Sequence, residues 1–97
     1  MYVSIRHYTG VKSPDDVIAK VKSEFLPIIS KIDGFEDYYA IKTGPDTMTS
    51  VSRFGSKPNE DTASAAASKW VSEKMSKHLP NKPQVMHGEV VAHTGAR

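Results

Sequence analysis

Ile32-Asp33-Gly34-Phe35 constrains the fold of this chain more than any other stretch. An amphipathic helix stops there and a strand starts. Upstream, Ser13-Pro14-Asp15-Asp16 reads as a helix start: Ser13 can cap, Pro14 suits the first helical position, and both acids meet the positive end of the helix dipole. Val17, Ile18, Val21, Phe25, Ile28, Ile29 and Ile32 then fall within an arc of ~120° on a helical wheel, which predicts a single buried stripe. Lys20, Glu24 and Lys31 lie opposite. Pro27 also falls on the outer side, so its missing N–H predicts a kink or bend rather than a break. Leu26 sits off the stripe, and Gly34 supplies the left-handed cap that ends the helix.

Strands flank this helix. Tyr2 to Tyr8 alternates, with Val3, Ile5 and His7 on one face and Tyr2, Ser4, Arg6 and Tyr8 on the other. Phe35 to Lys42 is a second strand, with Tyr38 and Tyr39 on opposite faces. Thr43-Gly44-Pro45-Asp46 turns it into a third, Thr47 to Phe54. A second helix is expected from about Glu60 to Leu79, with Asn59 as its cap. Its stripe is Ala63, Ala66, Ala67, Trp70, Val71, Met75, His78 and Leu79, and Pro80 and Pro83 end it. Val85 to Ala92 forms the last strand, and residues 93–97 read as a flexible tail. The order βαββαβ across one 97-residue domain predicts an α+β, ferredoxin-like fold: a four-stranded antiparallel sheet with two helices on one face.

Composition removes several function classes. A net charge of +2, with its lysines scattered over two helix faces, argues against nucleic acid and against an anionic membrane as partner. Cysteine is absent, so disulfides and thiolate metal sites are excluded. Met1 to Tyr8 carries Arg6 and His7 and has no long apolar run, so it is neither signal peptide nor membrane span, and the expected location is cytoplasmic. No GxGxxG or Walker loop, nucleophile elbow, or RNA-recognition strand of basic-Gly-aromatic type is present. Thr9-Gly10-Val11-Lys12 is a poor match to the glycine-rich, arginine-bearing loop of an acylphosphatase.

Every strand carries aromatic or aliphatic residues on both faces, whereas two helices can cover only one. The other face is therefore expected to pack on a second copy of the chain, giving a homodimer. Gly34-Phe35-x-x-Tyr38-Tyr39, Ser50-Val51-Ser52-Arg53-Phe54 and Ala66-Ala67-Ser68-Lys69-Trp70-Val71 together resemble the dimeric α/β-barrel superfamily, in particular small antibiotic-biosynthesis-monooxygenase (ABM)-like proteins. The resemblance spans nearly the whole chain through its element order. It implies two facing sheets in a dimeric α/β barrel, a ligand cavity between sheet and helices in each subunit, and cofactor-independent oxygenation of a flat aromatic or phenolic molecule.

Candidate residues follow from that chemistry, which needs an apolar cavity, a base and a charge near the developing anion. Trp70 is expected to stack on the ligand, with Ala67 in the small-residue run beside it. The same run also fits a helix lying close on the sheet, and Trp70 also fits plain core packing. His7 or His87 is the candidate base, Arg53 or Lys74 the charge, and Tyr38 or Tyr39 the hydrogen-bonding group. His7 and His87, on neighbouring strands, are expected to share a face, with Glu89 nearby; their spacing matches no helix-borne metal motif, so no metal is expected, and the resemblance implies no cofactor. His78 reads as a helix-end cap. Lys74 can instead snorkel past Trp70, and Arg6 can sit in the dimer interface paired with Asp37 or Glu89. The Asn–Trp–His set of haem-degrading relatives is not matched, because Asn59 and Asn81 both lie outside the first strand. A non-catalytic dimer that binds a small molecule, or is purely structural, is the competing reading.

Overall fold

The computed structural model describes residues 1–95, so the end of the expected 93–97 tail lies outside the described residues. Strand β1 spans Tyr2–Tyr8. Helix α1 runs through Pro14–Lys20, a π-turn at Val21–Phe25, and a last turn at Leu26–Ile29. Strands β2 (Phe35–Lys42) and β3 (Met48–Phe54) form the hairpin. Helix α2 runs through Lys57–Trp70 and a π-turn at Val71–Met75, and strand β4 is Gln84–Glu89.

The bend expected at Pro27 takes the form of the π-turn. Proline has no N–H to return to Ser23, and the preceding amide, Leu26 N–H, bonds Val21 O five residues back. A π-turn holds one residue more than an α-turn, which rotates the last turn of the helix relative to the first. Ile28, expected on the buried stripe, is accordingly 40% exposed, while Val17, Val21, Phe25 and Ile29 are buried.

Both helix starts differ in detail from the sequence reading. Ser13 occupies the N-cap position with a left-handed φ of 52°, and its side chain makes no capping bond. Its carbonyl accepts instead from Asp16 N (2.9 Å) and Val17 N (3.2 Å). Helix α2 starts three residues before Glu60, because Ser56 and not Asn59 is the cap: Ser56 Oγ accepts from Asn59 N at 3.4 Å. Gly34 has the left-handed φ of 80° expected of it, and a Cβ there would strike the Asn59 side chain. Its carbonyl accepts from Gly55 N at 2.8 Å, tying the end of α1 to the start of α2.

The sheet order is β2-β3-β1-β4, antiparallel throughout, the ferredoxin-like order. In β1 the residues Ser4 and Tyr8 are buried under the helices, and Arg6 shares their face. The core joins Tyr8, Met48 and Phe54 of the sheet to Val17, Val21, Phe25 and Ile29 of α1 and to Ala63, Trp70 and Met75 of α2. On the other face, Tyr39 and Met86 are each 58% exposed and Ile41 43%. No helix among the described residues is long and apolar enough to cross a membrane.

Candidate functional site

Between the helices and the sheet lies a small, partly open cavity of about 50 Å³. One wall is aromatic. Phe25 packs on Trp70 with ring centroids 5.1 Å apart and meets Tyr38 edge-on at 5.4 Å. Ala63, Ser64 and Ala67 line the cavity next to Trp70, so the run of small residues in α2 leaves space there. Trp70 is held from outside: its indole N–H donates to Glu24 Oε1 at 3.3 Å. Hydrogen bonds from Lys20 first, and from Trp70 second, hold the Glu24 carboxyl below its ordinary pKa.

The floor is polar. Along the inner face of β3, Ser50 and Ser52 stand between Met48 and Phe54, opposite Arg6 and Ser4 of β1. Ser4 is buried and its Oγ has no hydrogen-bond partner among the described residues. Arg6 reaches from sheet to helix: Nη2 donates to Ser68 Oγ (3.1 Å) and to Ser64 O (3.3 Å), and Nη1 to Tyr8 OH (3.4 Å). Among the described residues no carboxylate pairs with it. The cavity therefore holds one positive charge bound only by neutral groups. Burial pushes the Tyr38 hydroxyl up to about 12, with Ser50 and Arg6 pulling the other way, so Tyr38 is a neutral hydroxyl at physiological pH.

The expected site residues divide between this cavity and elsewhere. Trp70, Tyr38 and Ala67 line it; Tyr39 points to the open face of the sheet. His7 and His87 are not brought together. The register pairs His7 with Gln84 and His87 with Ser4, so the two rings lie on opposite faces. His7 bonds Thr49 Oγ1 through Nδ1 at 2.8 Å, and His87 bonds Tyr2 OH through Nδ1 at 2.8 Å; neither lines the cavity. Arg53 lies on the open face, in an ion pair with Asp37 and 4.0 Å from Glu36. Lys74 is exposed outside the cavity. Arg6, for which the sequence leaves open an interface pairing with Asp37 or Glu89, is the cation of the cavity. Phe25 and the floor serines were missed as site residues, although two serines between Met48 and Phe54 break the apolar face of a strand. Among the described residues no group of three or more His, Asp or Glu can hold a metal.

No family model and no curated protein matches the chain. Solved structures do. A monooxygenase from the gene ActVA-Orf6 of Streptomyces coelicolor, in complex with Nanaomycin D, superposes at TM-score 0.76 with 13% identity, over 99% of this chain and 92% of that one. An antibiotic biosynthesis monooxygenase matches at 0.72 with 12% identity, over 95% of this chain and 100% of that one. NE2512 of Nitrosomonas europaea, of unknown function, matches at 0.71 with 17% identity, over 99% of this chain and 95% of that one. The chain is ABM-like in fold.

Proposed function

We propose that this protein binds a flat, acidic phenol in the cavity beside Trp70 and promotes its oxygenation by dioxygen without a cofactor. The carrying observation is Arg6, a cation with no carboxylate partner among the described residues, set in a pocket walled by Phe25, Tyr38 and Trp70. An ionised phenol is the electron-rich species that reacts with dioxygen, and a guanidinium beside its oxygen favours the anion. The aromatic wall takes the ring faces, and the floor serines take further oxygens. In overall balance, a phenol bearing a C–H para to the hydroxyl and one dioxygen give the quinone and one water. The Streptomyces monooxygenase of the same fold, in complex with Nanaomycin D, supports the reading that a small-molecule ligand can be held on this scaffold.

The test is oxygen uptake with a panel of hydroxynaphthalenes, together with quenching of Trp70, the only tryptophan. Quenching with oxygen uptake, the uptake lost and the quenching at most weakened in Arg6→Met, supports the reading. Quenching without uptake by any phenol refutes catalysis and leaves a binding protein.

The same reading includes a homodimer through the open sheet face. Tyr39, Ile41 and Met86 form an exposed apolar patch there, beside the half-buried Ile5 and Val51. A sedimentation mass of one chain at micromolar concentration refutes it.

A further inference from the structure

We propose that Glu60, acting through Ser64, is the proton acceptor for a phenol bound in the cavity. The inference rests on the binding half of the function proposed above. The lining residues include no histidine and no carboxylate, and Tyr38 is a neutral hydroxyl, so no group that touches the ligand is an evident base. Glu60 stands one step behind the wall. It is 2% exposed, and no cation pairs with it among the described residues. Its side-chain partner is Ser64, whose hydroxyl donates to Oε1 at 2.6 Å.

A buried carboxylate bound by a single hydroxyl is costly for a small domain, and buried charges of this kind concentrate at functional sites. The first turn of α2 supplies part of the compensation, since Glu60 sits at the positive end of the helix dipole. The direction of its hydrogen bond supplies the chemistry. Ser64 lines the cavity, and its oxygen keeps lone pairs free to accept while its own proton points at Glu60. A phenol O–H that donates to Ser64 Oγ can pass its proton there as the Ser64 proton passes to Glu60 Oε1. The phenol becomes phenolate, the carboxylate becomes a carboxylic acid, and Ser64 ends as it began.

Arg6 is the cation nearest this step, lining the same cavity with Nη2 bonded to the main-chain carbonyl of Ser64 at 3.3 Å. The other charged group near Glu60, Lys57 on its own helix, is ion-paired with Asp61 at 2.9 Å. Ser64 is thus the residue that touches the ligand, and Glu60 acts through it.

The probe is 7-hydroxycoumarin, a flat phenol whose absorption distinguishes phenol from phenolate. With the wild-type protein the bound probe is expected to titrate about one pH unit below the free probe. In Glu60→Gln the amide oxygen still accepts from Ser64, so the hydrogen bond is kept, but no carboxylate is there to take the proton. Below the pH at which the free probe ionises, the wild-type complex is expected to show phenolate absorption together with the infrared carbonyl band of a protonated carboxyl group. Glu60→Gln is expected to show Trp70 quenching without that carboxyl band. Ser64→Ala breaks the relay from the cavity side, is expected to lack the band too, and stands as the second test if Glu60→Gln fails to fold by circular dichroism. A wild-type complex with phenolate absorption and no protonated-carboxyl band overturns the relay, since Arg6 alone then ionises the probe. Absence of Trp70 quenching in the wild type overturns the relay and the cavity reading together. A relay seen with the probe, but without oxygen uptake on any phenol, supports Glu60 as acceptor and refutes only the oxygenation.

Discussion

Replacing Arg6 by methionine separates the charge of the cavity from its shape. The side chains are similar in reach, so the apolar stem is largely kept while the guanidinium is removed. Stability is expected to change little. Three hydrogen bonds of 3.1, 3.3 and 3.4 Å are lost, each worth about 1 kcal/mol net at most for such long contacts. Against this, the cost of desolvating a guanidinium with no carboxylate partner disappears. The two nearly cancel, to within about 1 kcal/mol, which corresponds to a Tm change of less than ~8 °C for a domain of this size. Binding is expected to change much more. A hydrogen bond to a charged group is worth about 1.5–3 kcal/mol, and at 1.4 kcal/mol per decade this is a loss of roughly 10- to 150-fold in the affinity for an anion. The assay is Trp70 quenching by 2-naphthoate and by its neutral isostere, naphthalene-2-carboxamide. Wild type should prefer the carboxylate, and Arg6→Met should abolish that preference and leave the amide within about threefold, an energy well below that of one charged hydrogen bond. Equal loss of both ligands in a folded variant refutes the electrostatic role assigned to Arg6. So does a wild-type protein that binds the two equally.

Tyr38 gives a pH signature of defined sign. Its folded-state pKa is raised to about 12 from 10.0, so between these values the folded chain keeps a proton that the unfolded chain has lost. Stability should therefore fall as pH rises from 10 towards 12, by about 2–3 kcal/mol for this group, and thermal melts of Tyr38→Phe should lack that component. Gly34→Ala places a side chain at a φ of 80° and against Asn59, so a loss of about 1–3 kcal/mol is expected in urea unfolding; a wild-type midpoint would refute the constraint. Met86→Asp adds a charge to the open face without touching the cavity. It should halve the sedimentation mass while leaving Trp70 quenching by 2-naphthoate unchanged, and an undiminished mass would place any dimer contact elsewhere.

Element order and the buried position of Trp70 were legible in the sequence because they depend on local signals. Gly34 must be left-handed, the α1 stripe has helical spacing, and Trp70 lies on the α2 stripe; the small residues before it fit close packing as well as open space, and Phe25 was missed. Register was not legible. Whether His87 shares a face with His7 depends on a single residue of offset between β1 and β4, and the pairing of His87 with Ser4 gives the two histidines opposite faces. Arg6 and Arg53 were exchanged for a related reason. Both are cations on strands, and only the three-dimensional pairing of Arg53 with Asp37 shows which one already has its counter-charge. The start of α2 was misread for a different reason: Ser56-Lys57-Pro58 carries a cap and a first-turn proline, but Asn59 and the acids after it gave a competing signal.

Three features of the helix-covered side each work against stability: among the described residues Ser4 Oγ has no partner, Arg6 has no counter-charge, and Glu60 is a buried carboxylate held by one hydroxyl. An unsatisfied buried hydroxyl alone costs about 1–3 kcal/mol, a sizeable share of the roughly 5–15 kcal/mol that holds a domain folded. Scattered over the molecule, such groups would be unrelated defects. Here Ser4 and Arg6 line one cavity, and Glu60 is a single hydrogen bond behind its wall. On the open sheet face the cation Arg53 is paired with Asp37, although its Nε is buried with no hydrogen-bond partner among the described residues. A packed structural core would be more stable with valines in place of Ser4, Ser50 and Ser52. A buried hydroxyl without a partner and a guanidinium without a counter-charge among the described residues, lining one cavity with an aromatic wall, favour a polar, anionic ligand there.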